Sequence, residues 1–197
     1  MNSNSEQGTS NTEPRPAVFL DRDGTINQER NYLHRIEEFE LLPGVPQALK
    51  TLQDASFLLV VVSNQSGVAR GYFSLEDVRR INDHMSRQLA RYEVILDGIY
   101  ICPHHPTAGI GEFLQDCNCR KGRPGMLLQA AQDLNIDLQR SYMIGDKLSD
   151  IQAGNAAGCS SLLVRTGYGA NQENSEISRC CRVFDDLAQA AAFIVGR

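Results

Sequence analysis

The sequence predicts an α/β fold built on a doubly wound, mostly parallel sheet. Short apolar runs, often rich in β-branched residues, alternate along the chain with segments of helical periodicity. Such alternation is typical of βαβ units, in which parallel strands lie buried between helices on both faces of the sheet. Polar and acidic residues directly follow several of these runs, as expected for a site at the carboxyl edge of a parallel sheet.

Five segments have the length and composition of buried parallel strands. They are residues 17–20, 57–62, 99–102, 141–144 and 161–164. Helical patterns are predicted at residues 45–53, 75–92, 124–134, 149–157 and 185–195. Ser74 with Asp77 resembles a capping box before the second helix. Pro124 suits the first turn of the third helix, and Gly158 favours a stop after the fourth.

Composition and charge argue against several classes of protein. The 197 residues, 42% of them hydrophobic and 22% charged, are sufficient for one globular domain with a substantial core. No apolar run is long enough to span a membrane, and the formal net charge of −5 argues against a nucleic-acid-binding protein. We therefore expect a cytoplasmic monomer that acts on a small molecule.

The first sixteen residues are predicted to form a disordered tail. Residues 1–16 are rich in Ser, Asn, Glu, Gln, Thr and Pro, and they contain neither a basic segment nor an apolar stretch. This composition favours disorder and does not fit an export signal. A single domain is then expected over residues 17–197.

Four sets of polar residues are predicted to converge at one edge of the sheet. Each set directly follows a predicted strand or precedes a predicted helix, and the carboxyl ends of parallel strands share one edge. The sets are Asp21 with Asp23, Ser63 with Asn64, Lys121, and Asp146. Each set alone is also explained as a polar turn, a helix cap or a solvated side chain. Their joint appearance in this order favours a functional site.

Together these residues suit phosphoryl transfer. Oxygen ligands from Asp21, Asp23 and Asp146 fit the preferences of Mg²⁺. A carboxylate such as Asp21 can attack a phosphate ester once a cation offsets the repulsion between the two negative groups. Asp23 can protonate the leaving oxygen, and Ser63 and Lys121 can contact the phosphoryl oxygens.

The same residues resemble the four motifs of the haloacid-dehalogenase-like phosphatases. The motifs are Asp21-Arg22-Asp23-Gly24-Thr25, Ser63-Asn64, Lys121 and Gly145-Asp146-Lys147-Leu148-Ser149-Asp150. The resemblance implies a Rossmann-like fold, with Asp21 as nucleophile and Asp23 as general acid/base that binds Mg²⁺ through its backbone carbonyl. It also implies that Asp146 is an Mg²⁺ ligand, and that Ser63 and Lys121 hold the transferring phosphoryl group.

A second cluster of residues has the composition of a zinc site. Its four members are Cys102, His104, Cys117 and Cys119. Residues two apart in an extended chain point the same way, so the two pairs can close a Cys₃His tetrahedron with no position for water. His105 is the alternative to His104, and a disulfide or unmetallated cysteines are the alternative to zinc. A zinc loop at residues 102–119 would hold Lys121 against the phosphate.

The other three cysteines are not assigned to the metal site. Cys159, Cys180 and Cys181 are interpreted as packing or incidental residues.

The interval between the first two motifs holds one helix and one strand, which leaves no room for a separate cap domain. We therefore expect an open site that is covered by loops such as residues 28–42.

A longer match narrows the resemblance to the D-glycero-D-manno-heptose 1,7-bisphosphate 7-phosphatase family. It runs over roughly residues 17–169 and includes Cys102-Pro103-His104-His105-Pro106 and Pro124-Gly125-Met126. The resemblance implies removal of the 7-phosphate on the way to nucleotide-activated heptose for lipopolysaccharide core. The substrate contacts that it implies are Glu29, Arg30, Asn31, Tyr32, Ser63, Asn64, Gln65, Ser66, Arg120, Lys121 and Lys147. Arg120 is expected to hold the second phosphate, because its planar fork matches phosphate geometry.

One residue departs from the family pattern. Gly122 stands where the family usually has proline, so the loop that carries Lys121 is expected to be more flexible. Histidinol-phosphate phosphatase, whose phosphatase domain has a similar zinc loop, is the alternative activity. A non-catalytic binding protein on the same fold is the alternative of a different class, and the intact catalytic residues argue against it.

Overall fold

The computed structural model describes residues 13–173 and 177–196, which contain one six-stranded parallel sheet. The strands are β1 Ala17–Leu20, β2 Leu58–Asn64, β3 Gly98–Cys102, β4 Tyr142–Gly145, β5 Ser160–Val164 and β6 Arg182–Phe184. Their order is β3-β2-β1-β4-β5-β6, so the chain builds outward from β1 on one side and then returns to build the other side. This order confirms the predicted doubly wound sheet and puts its switch point between β1 and β4.

The helices cover both faces of this sheet. They are α1 Val45–Asp54, α2 Ser66–Ala69, α3 Leu75–Ala90, α4 Gly125–Leu134, α5 Leu148–Ala157, α6 Gly169–Gln172, α7 Ile177–Cys180 and α8 Leu187–Val195. Short 3₁₀ turns lie at Ile36–Glu38, Gly111–Phe113 and Leu138–Arg140. No helix among the described residues has both the length and the apolar character required to cross a bilayer.

Alternate residues of the central strand β1 pack into two separate cores. Val18 and Leu20 of β1 pack in the core beneath α1, α3 and α8. Ala17 and Phe19 point to the opposite core, which includes Met126 and other residues of α4. This period of two, with both faces buried, explains why the strands read as unbroken apolar runs.

Two predicted helix boundaries are confirmed by their capping geometry. The Ser74 side chain accepts from the Asp77 N–H at 3.1 Å, and the Asp77 carboxylate accepts from the Ser74 N–H at 2.9 Å. These reciprocal bonds satisfy two N–H groups that the first turn of α3 leaves free. Gly158 ends α5 with φ of 89°, a left-handed conformation that glycine adopts without steric cost.

Several boundaries differ from the prediction by one or two residues, and one strand was not predicted. β2 runs two residues further, because Ser63 and Asn64 pair with Ile101 and Cys102 of β3. Pro124 precedes α4 as its N-cap instead of lying in its first turn. Strand β6 was not predicted, since it has only three residues and lies at the edge of the sheet, where no long apolar run is required.

The end of the predicted tail belongs to the folded domain. The Arg15 N–H donates to the Asn135 carbonyl at 3.1 Å, and the Pro16 carbonyl accepts from Leu58 at 3.0 Å. Residues 1–12 of the predicted tail lie outside the described residues.

Candidate active site

The carboxyl ends of β1 and β2 and the loops after β4 and β5 border a cavity of about 270 Å³. It lies at the switch point, where open α/β sheets bind their ligands. The predicted site residues that line it are Asp21, Asp23, Glu29, Asn31, Tyr32, Ser63, Asn64, Gln65, Ser66, Arg120, Lys121 and Lys147. Leu33, Gly67, Ser149, Asp150 and Tyr168 also line it.

Asp21 and Lys121 form a buried ion pair at the base of this cavity. Lys121 Nζ donates to an Asp21 carboxylate oxygen at 2.5 Å and to the Val62 carbonyl at 2.7 Å. Burial by itself raises the pKa of Asp21, but the nearby ammonium groups of Lys121 and then Lys147 hold it below its ordinary value. Asp21 is therefore ionised at neutral pH, as an attacking carboxylate must be.

The position of Lys121 is fixed by two other residues. The Asn64 side chain accepts from the Lys121 N–H at 2.9 Å and donates to its carbonyl at 3.3 Å. Asp150 lies 2.8 Å from Lys121 Nζ. Burial lowers the pKa of Lys121, but the carboxylates of Asp150 and Asp21 raise it above its ordinary value, so the ammonium stays charged. Asn64 thus orients Lys121, a role that the motif alone did not indicate.

Asp23 is held by a buried arginine that the sequence did not single out. Arg22 Nη2 lies 2.8 Å from the Asp23 carboxylate, and Arg22 Nη1 donates to Asn82 at 3.0 Å. Gln65 Nε2 donates to Asp23 at 3.0 Å and to Ser63 Oγ at 2.8 Å. The Gln65 amide therefore links Asp23, the predicted acid/base, to Ser63, a predicted contact of the phosphoryl group. A sequence pattern gives no signal for Arg22, since arginine is mostly an exposed residue.

Three carboxylates of the site are close enough to share one metal ion. Asp21, Asp146 and Asp150 each offer an oxygen within 4.8 Å of the other two. Asp146 Oδ1 is buried and has no hydrogen-bond partner among the described residues, and burial together with Asp21 raises the pKa of Asp146 to about 8. Asp146 Oδ1 also lies 3.5 Å from Lys147 Nζ. A divalent cation fits this group, because it would balance the negative charge and bind the oxygen that accepts no hydrogen bond.

The metal prediction from sequence differs from this group in one member. Asp150 belongs to it, whereas the Asp23 carboxylate lies outside and bonds to Arg22 and Gln65. Asp150 also accepts from the Lys147 N–H at 3.0 Å in the first turn of α5, so its pattern in sequence is that of a helix cap. The role assigned to the backbone carbonyl of Asp23 stays a prediction.

Two glycines pack directly against Asp146. A Cβ atom added at Gly24 would lie 2.3 Å from Asp146 Oδ2, and one added at Gly167 would lie 2.2 Å from it. The Tyr168 N–H also donates to Asp146 Oδ2, at 2.8 Å. The backbone after β1 and after β5 therefore encloses the carboxylate from two sides.

Of the four residues after β1 that are predicted to contact substrate, residues 29–32, all but Arg30 line the cavity. Glu29 pairs with Lys147 at 3.1 Å, and Asn31 and Tyr32 line the cavity. Arg30 is not among the lining residues, and its guanidinium pairs with the exposed Glu40 at 3.1 Å. The predicted contact of Arg30 with substrate stays a prediction.

The predicted cysteine–histidine cluster assembles beside this site. Cys102, Cys117 and Cys119 have Sγ–Sγ distances of 3.2 to 3.5 Å, and His104 Nδ1 lies 3.4 and 3.9 Å from two of them. These distances exceed an S–S bond of about 2.05 Å and lie near the edges of a tetrahedron with ligands at about 2.3 Å. His105 is not a member, because its Nδ1 accepts from two backbone N–H groups. The four residues can therefore hold a tetrahedral metal ion.

Only Arg120 separates the last residue of this cluster from Lys121, and Gly122 turns the chain directly after Lys121. Arg120 Nη1 donates to the His104 carbonyl at 3.2 Å. Gly122 has φ of 101° and donates its N–H to the Ser149 carbonyl at 2.9 Å. Proline has neither this φ nor an N–H, so the turn differs from one that a proline would form. The expected flexibility of this loop stays a prediction.

The chain resembles proteins of known function over most of its length. A family model described as HAD-hydrolase-like matches residues 118–190. Two relatives are each 51% identical to this chain: the D-glycero-beta-D-manno-heptose-1,7-bisphosphate 7-phosphatases of Haemophilus ducreyi and Pasteurella multocida. The alignments cover 81% and 91% of this chain, and 88% and 97% of the respective relatives.

A solved structure agrees with this relationship. The D,D-heptose 1,7-bisphosphate phosphatase from B. bronchiseptica, complexed with magnesium and phosphate, superimposes with a TM-score of 0.81 at 35% identity. The match covers 92% of this chain and 98% of that one. The chain therefore belongs to the D-glycero-β-D-manno-heptose-1,7-bisphosphate 7-phosphatase family of HAD-like phosphatases.

Proposed function

We propose that the protein hydrolyses the 7-phosphate of D-glycero-β-D-manno-heptose 1,7-bisphosphate through a covalent intermediate on Asp21. The observation that carries the proposal is the contact of the buried Asp21 carboxylate with the Lys121 ammonium, in a cavity that Asp23 also lines. A binding protein would not require a nucleophile and a proton donor in one cavity. The choice of the β anomer follows the names of the relatives.

The carboxylates of Asp21, Asp146 and Asp150 would hold Mg²⁺, with the Asp23 carbonyl as a further ligand. When bound, the ion supplies positive charge that offsets the repulsion between carboxylate and phosphate. The buried Asp146 Oδ1, which accepts no hydrogen bond among the described residues, supports this assignment. So does the relative from B. bronchiseptica, which binds magnesium and phosphate.

The chemistry of the chain's own residues divides into two steps. In the first, an Asp21 oxygen attacks phosphorus, the bond to the sugar oxygen breaks, and Asp23 gives that oxygen its proton. In the second, Asp23 takes a proton from water, which attacks the aspartyl-phosphate and releases inorganic phosphate and Asp21. Lys121 and the Ser63 hydroxyl contact the phosphoryl oxygens, whose negative charge is greatest in the transition state.

The cluster of Cys102, His104, Cys117 and Cys119 would hold Zn²⁺ in a structural role. Four protein ligands close the tetrahedron and leave no position for a reacting water. Arg120 and Lys121 directly follow the last ligand, and Arg120 also bonds to the His104 carbonyl. Zinc would therefore position these two cations and take no part in the chemistry.

Arg120 is assigned to the second phosphate of the substrate. It lines the cavity, and no carboxylate pairs with it among the described residues. A guanidinium without a carboxylate partner can bind a phosphate through two parallel hydrogen bonds. We assign the protein to the supply of nucleotide-activated heptose for lipopolysaccharide core, as a cytoplasmic monomer.

The test is phosphate release in the presence of Mg²⁺. Wild-type protein is compared on the two anomers of the heptose bisphosphate and on histidinol phosphate. We expect the highest kcat/KM for the β anomer, and preference for histidinol phosphate would establish the alternative activity. Asp21→Asn should abolish turnover while the protein stays folded, and steady turnover by that variant would exclude the covalent mechanism.

A further inference from the structure

Four residues form a closed ring of contacts along one wall of the cavity. Glu29 pairs with Lys147 at 3.1 Å, and Lys147 Nζ lies 5.0 Å from the centroid of the Tyr168 ring. The Tyr168 hydroxyl donates to Asn31 Oδ1 at 2.6 Å, and the Asn31 N–H donates back to Glu29 at 2.9 Å. The ring joins the loop after β1 to the loops after β4 and β5.

The ring holds a backbone conformation that is unfavourable by itself. Asn31 and Tyr32 have φ values of 48° and 69°, so two consecutive residues other than glycine adopt the left-handed region. Such residues cost on the order of 1 kcal/mol each and persist only where surrounding contacts hold them. Both residues line the cavity, so the strained turn is part of the binding surface.

Tyr168 is placed to hold this turn. Its N–H bonds to Asp146, so its backbone is fixed at the carboxylate cluster. Its hydroxyl bonds to Asn31, on the loop that crosses from the other side of the cavity. We propose that Tyr168 is a positioning residue whose hydroxyl keeps the turn at Asn31 and Tyr32 in the conformation that binds the sugar phosphate. This inference rests on the proposed function and adds a determinant of substrate affinity that the sequence motifs do not contain.

The Tyr168→Phe variant isolates the hydroxyl, because phenylalanine keeps the backbone N–H bond and the aromatic face toward Lys147. We expect KM for the heptose bisphosphate to rise about threefold to tenfold, the range for loss of one hydrogen bond. The variant's kcat should stay within twofold of wild type, because the hydroxyl bonds to Asn31 and not to Asp21. Tyr72→Phe is the matched control, since Tyr72 packs edge-on against Tyr32 but does not line the cavity.

Two further measurements separate positioning from direct contact. Hydrogen exchange at residues 29–33 should be faster in Tyr168→Phe than in wild type or Tyr72→Phe. If the hydroxyl acts through Asn31, the double variant Asn31→Ala with Tyr168→Phe should have the same KM as Asn31→Ala alone.

These experiments distinguish failure of the positioning role of Tyr168 from failure of the proposed function. An unchanged KM in Tyr168→Phe, unchanged exchange at residues 29–33, or additive effects in the double variant would each overturn the positioning role. If wild-type protein releases no phosphate from the heptose bisphosphate, the proposed function fails. The exchange measurement still decides in that case whether Tyr168 holds the turn.

Discussion

Replacement of Gly167 by alanine tests whether the placement of Asp146 controls the metal site. Gly167 has φ of 58°, and an added Cβ would lie 2.2 Å from Asp146 Oδ2 and 2.7 Å from the Cα of Gly24. The Cα of Gly24 is a backbone atom that cannot rotate away as a side chain could. The Asp146 carboxylate and the surrounding loop must therefore shift.

The size of the effect follows from these distances. Ordinary Cβ contacts begin near 3.4 Å, so the Asp146 oxygen must move by about 1 Å. A displacement of this size at a reacting group can cost about a hundredfold in rate. The left-handed conformation adds a stability cost of about 1–2 kcal/mol for alanine. We therefore expect kcat/KM to fall about a hundredfold and the Mg²⁺ concentration for half-maximal activity to rise.

Gly111→Ala is the matched control for backbone strain. Gly111 has the same φ of 58°, but nothing lies within 4 Å of the position of an added Cβ. Its thermal stability should fall through backbone strain alone, and so by less than that of Gly167→Ala, which also has the clash with Gly24, while its activity stays within twofold of wild type. The assay is phosphate release against Mg²⁺ concentration, with thermal unfolding measured on the same samples. If Gly167→Ala keeps more than half of wild-type activity with an unchanged Mg²⁺ requirement, close packing of Gly167 against Asp146 does not control the site.

Three other variants test the groups around the phosphate. Asn64→Ala removes both bonds to the Lys121 backbone, about 1–3 kcal/mol in total, and should lower kcat at least tenfold; an unchanged kcat would show that Lys121 is positioned without it. Arg120→Ala should reduce kcat/KM more for a bisphosphate than for a monophosphate, and equal losses would mean that Arg120 does not contact the second phosphate. Cys117→Ser combined with Cys119→Ser should abolish Zn²⁺ binding at the cluster and slow phosphate release without altering Mg²⁺ affinity. Full turnover in Mg²⁺ by the zinc-free double variant would refute the proposed positioning role of zinc.

The sequence determined the fold class and most of the candidate site. Strands buried on both faces require continuous apolar runs, and such runs can be recognised from a few consecutive residues of the sequence. Parallel strands bring their carboxyl ends to one edge, so the residues after each run could be placed together before any contact was known. The geometry of an extended backbone identified the pairs Cys102/His104 and Cys117/Cys119, because residues two apart point the same way.

The tertiary structure decided which neighbours control those groups. Asp150 ends the fourth motif with no role assigned from the sequence, yet it pairs with Lys121 from another loop. Arg22 reads as a solvent-exposed residue, yet it is fully buried against Asp23. Arg30 pairs with Glu40 and is not among the lining residues of the cavity, so its expected contact with substrate stays a prediction.

The physical reason is the difference between local and long-range interactions. Periodicity and spacing report what the backbone does over a few residues, whereas ion pairs and hydrogen bonds form between loops that only folding brings together. Tyr168 and Asn31 are 137 positions apart, and no pattern in the chain relates them. The sequence thus identified the reacting groups, and only the packed structure showed which partners hold them in place.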